Sequence, residues 1–405
     1  MRILGWLGLP AVWGSVGELV HLTDMHLDLE YAVGAPTACV LGSTGLGCCR
    51  SYDIPLPGPP SRPWGEYTCD APLTLVDSVL AWIANYSAAG SVDAVLYGGD
   101  TVGHHDVFQS TAKNVHTLRT VTERFAAHFP NMSVLCNQGN HDTYPIDQTP
   151  PWNRQLITDE LAAAWQGLLA PAERRPLRRT FYRWRSARSP NLEIVSLHSL
   201  AYDTHNLFPS SALKSEQAAW LQSVLADIRR SGRYVYVLGH IPPGGGEASA
   251  EYNEWIVPVL ANYSDVVRGS MYGHSHKDQL YLYPAHPHAP PAWIAPSVMP
   301  DGRDPCFRIY QYDRDRGTLL SYDQYCLDLD GTNRRRSPRL YRHYSSRELY
   351  PALTAEALRI WHRAPPPESL VQYCLHYYGI RAGRANEACY HNATLRRALA
   401  ADMVR

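Results

Sequence analysis

Short apolar runs that end abruptly on a polar turn recur along this chain. Leu19-Val20-His21-Leu22 stops at Thr23-Asp24, and Ala94-Val95-Leu96-Tyr97 stops at Gly98-Gly99-Asp100. Val134-Leu135-Cys136 stops shortly before Gly139-Asn140-His141-Asp142. Leu192 to Leu197 is another such run, and Tyr234 to Leu238 closes on Gly239-His240. A segment after Val266-Val267 closes on Tyr272-Gly273-His274-Ser275-His276. Short apolar runs bounded by turn signals read as buried strands. Between them apolar residues return at helical spacing: Leu73, Val76, Leu80 and Ile83, then Val115, Leu118, Val121, Phe125 and Phe129, then Leu221, Val224, Leu225 and Ile228. Strands alternating with helices predict an α/β sheet covered on both faces. From Leu280 to Tyr325 strand-like runs follow without helices, so that part should be antiparallel. Arg334-Arg335-Arg336 reads as a solvated linker, and the remainder, with Pro365-Pro366-Pro367 inside it, as a small helical region.

Composition narrows the class. The chain has 405 residues, 45% hydrophobic and 19% charged, which is a core-forming balance and excludes a disordered chain. Its formal charge of −1 offers no global field for a nucleic-acid polymer or an acidic membrane, so charged ligands must be read locally. No apolar stretch reaches the roughly 18 residues needed to span a bilayer. Met1-Arg2, the apolar run Ile3 to Trp13 and the small residues around Ser15 to Gly17 predict a secretory signal over residues 1–17. Acceptor sequons at Asn85, Asn131, Asn262 and Asn392 and a total of nine cysteines agree with an oxidising compartment. The mature protein is therefore expected to be secreted or lysosomal. Adjacent Cys48 and Cys49 exclude a Cys-x2-Cys zinc ribbon. The odd count leaves one thiol free, and Cys136, inside an apolar run, is the candidate.

The polar residues that close the runs form a pattern of their own. Asp24 and His26, Asp100, Asn140 and His141, His240, and His274 with His276 each follow a strand-like run. Ligand sites in open α/β sheets lie outside the carboxyl ends of the strands. Five segments would thus deliver imidazoles, carboxylates and one amide to a single crevice. Singly, each motif has a bland explanation: Asp-x-His arises by chance, Gly-Asp is a common turn, and most loop histidines are merely hydrogen-bonded. The set, in this order and always at strand ends, does not.

These blocks resemble those of the calcineurin-like metallophosphoesterases: Asp24-Met25-His26, Gly99-Asp100, Gly139-Asn140-His141-Asp142, Gly239-His240 and Gly273-His274-Ser275-His276. Three further stretches look like the acid sphingomyelinase branch: Cys48-Cys49-Arg50 with Trp64 to Asp70, His105-Asp106-Val107, and Gly239 to Gly244. The resemblance covers about Leu19 to Leu329. It implies a sandwich of mixed β-sheets flanked by helices, a catalytic domain over 18–333 and a C-terminal helical region over 334–405. It also implies two zinc ions, for which imidazole and carboxylate are a suitable ligand set. Asp24, His26 and His276 would hold one ion, Asn140, His240 and His274 the other, with Asp100 bridging. Attack on phosphorus would come from a hydroxide held between the ions. His141 matches the family's catalytic histidine, and a second phosphate-facing histidine falls on His104 or His105, depending on how one inserted residue is counted.

Pairing carried over from the branch gives Cys39–Cys48 and Cys49–Cys69, while sequence proximity suggests Cys306–Cys326 and Cys374–Cys389. Full acid sphingomyelinases also carry a saposin-type lipid-lifting domain ahead of the core, and here few residues precede Asp24. After Gly244 this chain continues Gly245-Gly246, where the sphingomyelinases have a cysteine. The expected activity is cleavage of sphingomyelin to ceramide and phosphocholine, the alternative a nucleotide or other soluble phosphodiester or pyrophosphate. The protein is expected to act as a monomer, in transient contact with a membrane surface and with no nucleic-acid polymer as partner.

Overall fold

The computed structural model describes residues 15–40, 47–104, 109–150, 160–170, 180–378, 389, 396, 398, 399 and 401–404. His105, Asn392 and nearly all of the expected signal lie outside them. Two six-stranded sheets organise the molecule. The first contains β1 (Val16–Leu22), β2 (Val92–Tyr97), β3 (Val134–Cys136), β10 (Cys306–Asp313), β11 (Leu319–Leu327) and β12 (Leu340–Ser345), in the order β12-β11-β10-β1-β2-β3. The second contains β4 (Tyr182–Arg185), β5 (Leu192–Ser196), β6 (Tyr234–Leu238), β7 (Val267–Tyr272), β8 (Gln279–Tyr281) and β9 (Ala292–Ile294), in the order β4-β5-β6-β7-β9-β8.

The single sheet suggested by the alternation is in fact two, packed face to face as the family resemblance implies. One core cluster joins Val20, Ile309 and Tyr312 of the first sheet to Ile194, Tyr236 and Trp293 of the second. The Tyr236 hydroxyl reaches across to the Gly317 carbonyl. Periodicity could not separate the sheets, because β2, β5 and β6 are buried on both faces and carry no alternation. Helices α1 (Leu73–Ser87) and α2 (Thr111–His128) cover the outside of the first sheet. Helices α3 (Ser211–Arg230) and α4 (Ala250–Asn262) cover the second through a separate cluster that includes Leu225, Ile256 and Val237.

Two boundaries differ from expectation. Val16 and Gly17, expected to end the signal, open β1 and pair with Asp313 and Tyr312, so removal at residue 17 would cut into the sheet. The region expected to be helical from residue 334 opens instead with β12, which pairs with β11 as the edge of the first sheet. Arg334 and Arg335 are exposed but close helix α5 (Leu329–Arg335), with Arg336 as its left-handed cap, and are no linker. Helical structure proper follows in α6 (Ala355–Arg363) and α7 (Pro367–Tyr378).

The strands that carry the polar turns run parallel. β1, β2 and β3 are parallel neighbours in one sheet, and β6 and β7 in the other. Their carboxyl ends therefore meet at one end of the sandwich.

Candidate dinuclear metal site

All seven candidate ligands come together there. Ligand atoms of Asp24, His26 and His276 lie within 4.8 Å of one another, as do those of Asp100, His240 and His274. Asp100 Oδ2 stands between the groups, 3.5 Å from His26 Nε2 and 3.1 Å from His240 Nε2. Asn140 Oδ1 lies 2.9 Å from His240 Nε2 and 3.0 Å from His274 Nδ1.

The backbone reaches this arrangement under strain. Asp24, His26, Asp100, His274 and His276 all have positive φ, between 40° and 73°. Left-handed backbone at a residue other than glycine costs on the order of 1–3 kcal/mol, and such residues gather at functional sites. Glycines make the close approach feasible. A Cβ on Gly139 would overlap the Asp100 carboxylate, and one on Gly273 would overlap Asp24 and Thr23.

A fit to metal follows from the four rings themselves. Nδ1 of His26 lies 2.9 Å from the Val102 carbonyl oxygen and Nδ1 of His240 lies 2.8 Å from that of Gly98. Each carbonyl only accepts, so each Nδ1 donates and leaves the Nε2 lone pair facing inward. His274 Nε2 lies 2.6 Å from Glu247 Oε2, which leaves its Nδ1 lone pair inward, and His276 Nδ1 lies 3.4 Å from Asp301 Oδ2. His26 Nε2 and His276 Nε2 then face each other at 3.0 Å, lone pair towards lone pair. Such acceptors repel unless a cation stands among them, and an outer hydrogen-bond partner on each ring is the habit of metal-bound histidine. In the metal-free protein protons respond to the same field. Although burial works against it, the Asp100 carboxylate raises His240 to about 10, while burial and then His104 hold His26 well below its ordinary value.

The catalytic candidates line the same crevice. The His141 backbone N–H donates to Asp100 Oδ1 at 2.8 Å, and its buried Nδ1 has no protein partner among the described residues. Burial, then the neighbouring His104, lowers His141 to about 3. Of the two alternatives left open, His104 is seen to enter the site: its ring stacks on His26 at 3.9 Å and meets His141 edge-on at 4.4 Å.

Sequence reasoning assigned no role to three supporting carboxylates. Buried Asp70 accepts from His104 Nδ1 at 2.7 Å and from its backbone N–H at 2.8 Å. Asp147 accepts from Asn140 Nδ2 at 2.8 Å and so turns the amide oxygen toward the histidines. Asp142 ties two turns together by accepting from Thr101 N at 2.7 Å and Gly139 N at 2.8 Å. Burial, then Asp100, raises it to about 7. Asp70 and Asp142 carried a sequence signal, as the ends of the Trp64 to Asp70 stretch and of the Gly139 to Asp142 block, and Asp147 carried none.

The cysteine loop explains that stretch. Disulfides join Cys39 to Cys48 and Cys49 to Cys69, as well as Cys306 to Cys326 and Cys374 to Cys389, and Cys136 is free and buried. The Cys49–Cys69 bridge sets Arg50 beside Asp70, at 3.6 Å, and Asp28, at 3.0 Å. The loop thus holds Asp70, and Asp70 holds His104. Of the sequons, Asn85, Asn131 and Asn262 are exposed.

Fold and site together define a metal-dependent phosphodiester hydrolase. The model of the calcineurin-like phosphoesterase family matches residues 18–278, and the chain belongs to that family. Within it the chain groups with the acid sphingomyelinase-like phosphodiesterases. It is 28% identical to acid sphingomyelinase-like phosphodiesterase 3b of Homo sapiens, over 96% of this chain and 90% of that one. It is 30% identical to the cyclic GMP-AMP phosphodiesterase of Bos taurus, over 81% and 75% of the two chains. Identity to the sphingomyelin phosphodiesterase of Bos taurus is 29%, over 83% of this chain and 55% of that one.

Proposed function

We propose that the protein is a secreted or lysosomal, zinc-dependent phosphodiesterase that hydrolyses sphingomyelin to ceramide and phosphocholine. The observation that carries the metal-dependent chemistry of this reading is the set of four inward lone pairs converging on Asp24, Asp100 and Asn140. Asp24, His26 and His276 would hold one ion and Asn140, His240 and His274 the other, with Asp100 shared. Imidazole-rich sites favour zinc over oxygen-seeking magnesium. When bound, the metal pair supplies positive charge that polarises phosphoryl oxygens and acidifies water.

The chain's own groups do the rest. His104, held by Asp70, donates to a phosphate oxygen. His141 donates a proton to the leaving alkoxide. Burial, then His104, holds its pKa low, and the anionic charge of a bound phosphodiester shifts it back up. Glu247, 43% exposed, and Asp147 place carboxylates beside the crevice. Their charge suits a cationic head group and disfavours a polyanion.

Secretion is supported by the four disulfides and the three exposed sequons. Contact with a membrane surface is supported by exposed Val40, Ile54 and Leu56 on the disulfide loop. Among the described residues no helix is long and apolar enough to cross a membrane. A second reading, a nucleotide phosphodiester as substrate, is favoured by the similarity to the cyclic GMP-AMP phosphodiesterase. Pure protein offered sphingomyelin vesicles, a cyclic dinucleotide and a nucleoside triphosphate decides between them. Phosphocholine as the dominant product supports the first reading, and preferential release of nucleotide or phosphate replaces it with the second.

A further inference from the structure

His274 has the shortest outer contact of the four rings. His26 and His240 lean on backbone carbonyls, and Asp301 meets His276 at 3.4 Å. His274 Nε2, in contrast, sits 2.6 Å from Glu247 Oε2, on the opposite side of the ring from the Nδ1 that faces Asn140.

Glu247 follows Gly244-Gly245-Gly246, a segment with the look of a flexible linker. Its own backbone is nonetheless fixed. The Thr204 N–H donates to the Glu247 carbonyl at 2.9 Å, and Ala248 bridges to Asp203 in antiparallel fashion. On the other flank the Ser249 N–H donates to the Tyr202 carbonyl at 2.8 Å. The glycines therefore let the chain turn, Gly244 at φ 87°, and the clamp delivers one carboxylate to one ring nitrogen.

As a single partly exposed hydrogen bond this contact would add little stability. Its chemical effect is larger. A carboxylate on Nε2 keeps the proton there, so Nδ1 is always the lone-pair nitrogen, and negative charge behind the ring makes that nitrogen a stronger donor to a metal. Glu247 cannot bind the same ion itself, because the two ring nitrogens point away from each other.

We infer that Glu247 is a positioning residue that fixes the tautomer and basicity of His274 and so sets metal affinity in the Asn140–His240–His274 half of the site. The inference rests on the metal reading above. Carboxylate partners of this kind are worth about 10–100-fold in metal affinity.

The test loads metal-stripped full-length protein with Zn²⁺ under chelator competition and reads two stepwise affinities. His274→Ala identifies the step that belongs to its half. Glu247→Ala should weaken that same step about 10–100-fold and leave the other unchanged. Glu247→Gln, whose amide oxygen still accepts from Nε2 without the charge, should recover part of the loss. Circular dichroism melts check that the fold survives. Unchanged affinities in Glu247→Ala, or equal weakening of both steps, would overturn the inference while leaving the metal reading intact. Wild-type protein that takes up no metal would overturn that reading, and the inference with it.

Discussion

The two halves of the crevice solve the same problem in different ways. In the half formed by Asp24, His26 and His276, negative charge lies among the ligands themselves, as the fully buried Asp24 carboxylate. In the half formed by Asn140, His240 and His274 the proposed ligands are all neutral. Its negative charge stands one layer out, as Asp147 behind the Asn140 amide and Glu247 behind His274. Asp100 is shared. On the proposed assignment, a cation in the first half would meet negative charge at contact, whereas one in the second would meet it only through its ligands. The second half would then be the more electrophilic and the more easily emptied.

The largest effect that could break this contrast is metal removal. Exhaustive chelation should abolish hydrolysis, and Zn²⁺ should restore it better than Mg²⁺. Graded chelation should release one equivalent before the other, the first from the half whose occupancy depends on His240. Simultaneous loss of both equivalents would erase the distinction.

Next in size is the separation of ligand from acid. His141→Ala should retain both ions, yet slow cleavage of a basic leaving group such as a ceramide alkoxide by roughly 10²–10⁴-fold. A nitrophenyl phosphodiester, whose leaving group departs unprotonated, should lose far less. His240→Ala should slow both substrates alike and lose metal from its half. Equal losses on both substrates in His141→Ala would leave that histidine a phosphate-binding group and no acid.

A smaller effect sharpens the contrast through the outer layer. Asp147→Ala should cost about 10–100-fold in the affinity of the second half, since the amide of Asn140 loses the partner that orients it. Asp301→Ala, removing a contact already stretched to 3.4 Å, should cost the first half less. Stepwise affinities measured on both variants rank them, and the opposite ranking refutes the layered-charge account.

The smallest effect concerns stability beneath the site. His21, on the strand leading to Asp24, is fully buried without a partner for either ring nitrogen among the described residues. Burial, then Arg308, lowers it to about 3. The unfolded chain takes up this proton near its ordinary value of 6.5 and the folded chain does not, so stability present above that pH is lost as pH falls toward 3. Between pH 7 and 5 this group should account for about 2 kcal/mol of the decline. His21→Phe should flatten the slope by that amount in urea titrations at the two pH values. An unchanged slope would show that the ring is protonated, or open to solvent, in the fold.

How much of this was legible in the sequence follows from how far each contact reaches. The Gly-Asp and Gly-His turns were readable because each lies directly behind the strand that aims it. Asp100 follows Tyr97 by three residues and His240 follows Leu238 by two. The division into two sheets was not, because fully buried strands such as Val92–Tyr97 show no alternation from which to infer a face. The carboxylates behind His274 and His276 were invisible for a different reason. Glu247 meets His274 and Asp301 meets His276 only after loops from different strands fold together. Nothing in the local sequence of Glu247 marks it, and the triple glycine before it suggests slack where the fold puts a clamp.

The left-handed ligands have a consequence for the history of such a chain. Glycine or asparagine at Asp24, His26, Asp100, His274 or His276 would ease the backbone, since these residues enter that conformation most readily. Selection for stability alone would therefore erode the chemistry first. A relative that has drifted to a sturdier, silent descendant should carry glycine or asparagine at these five positions before its hydrophobic core changes at all.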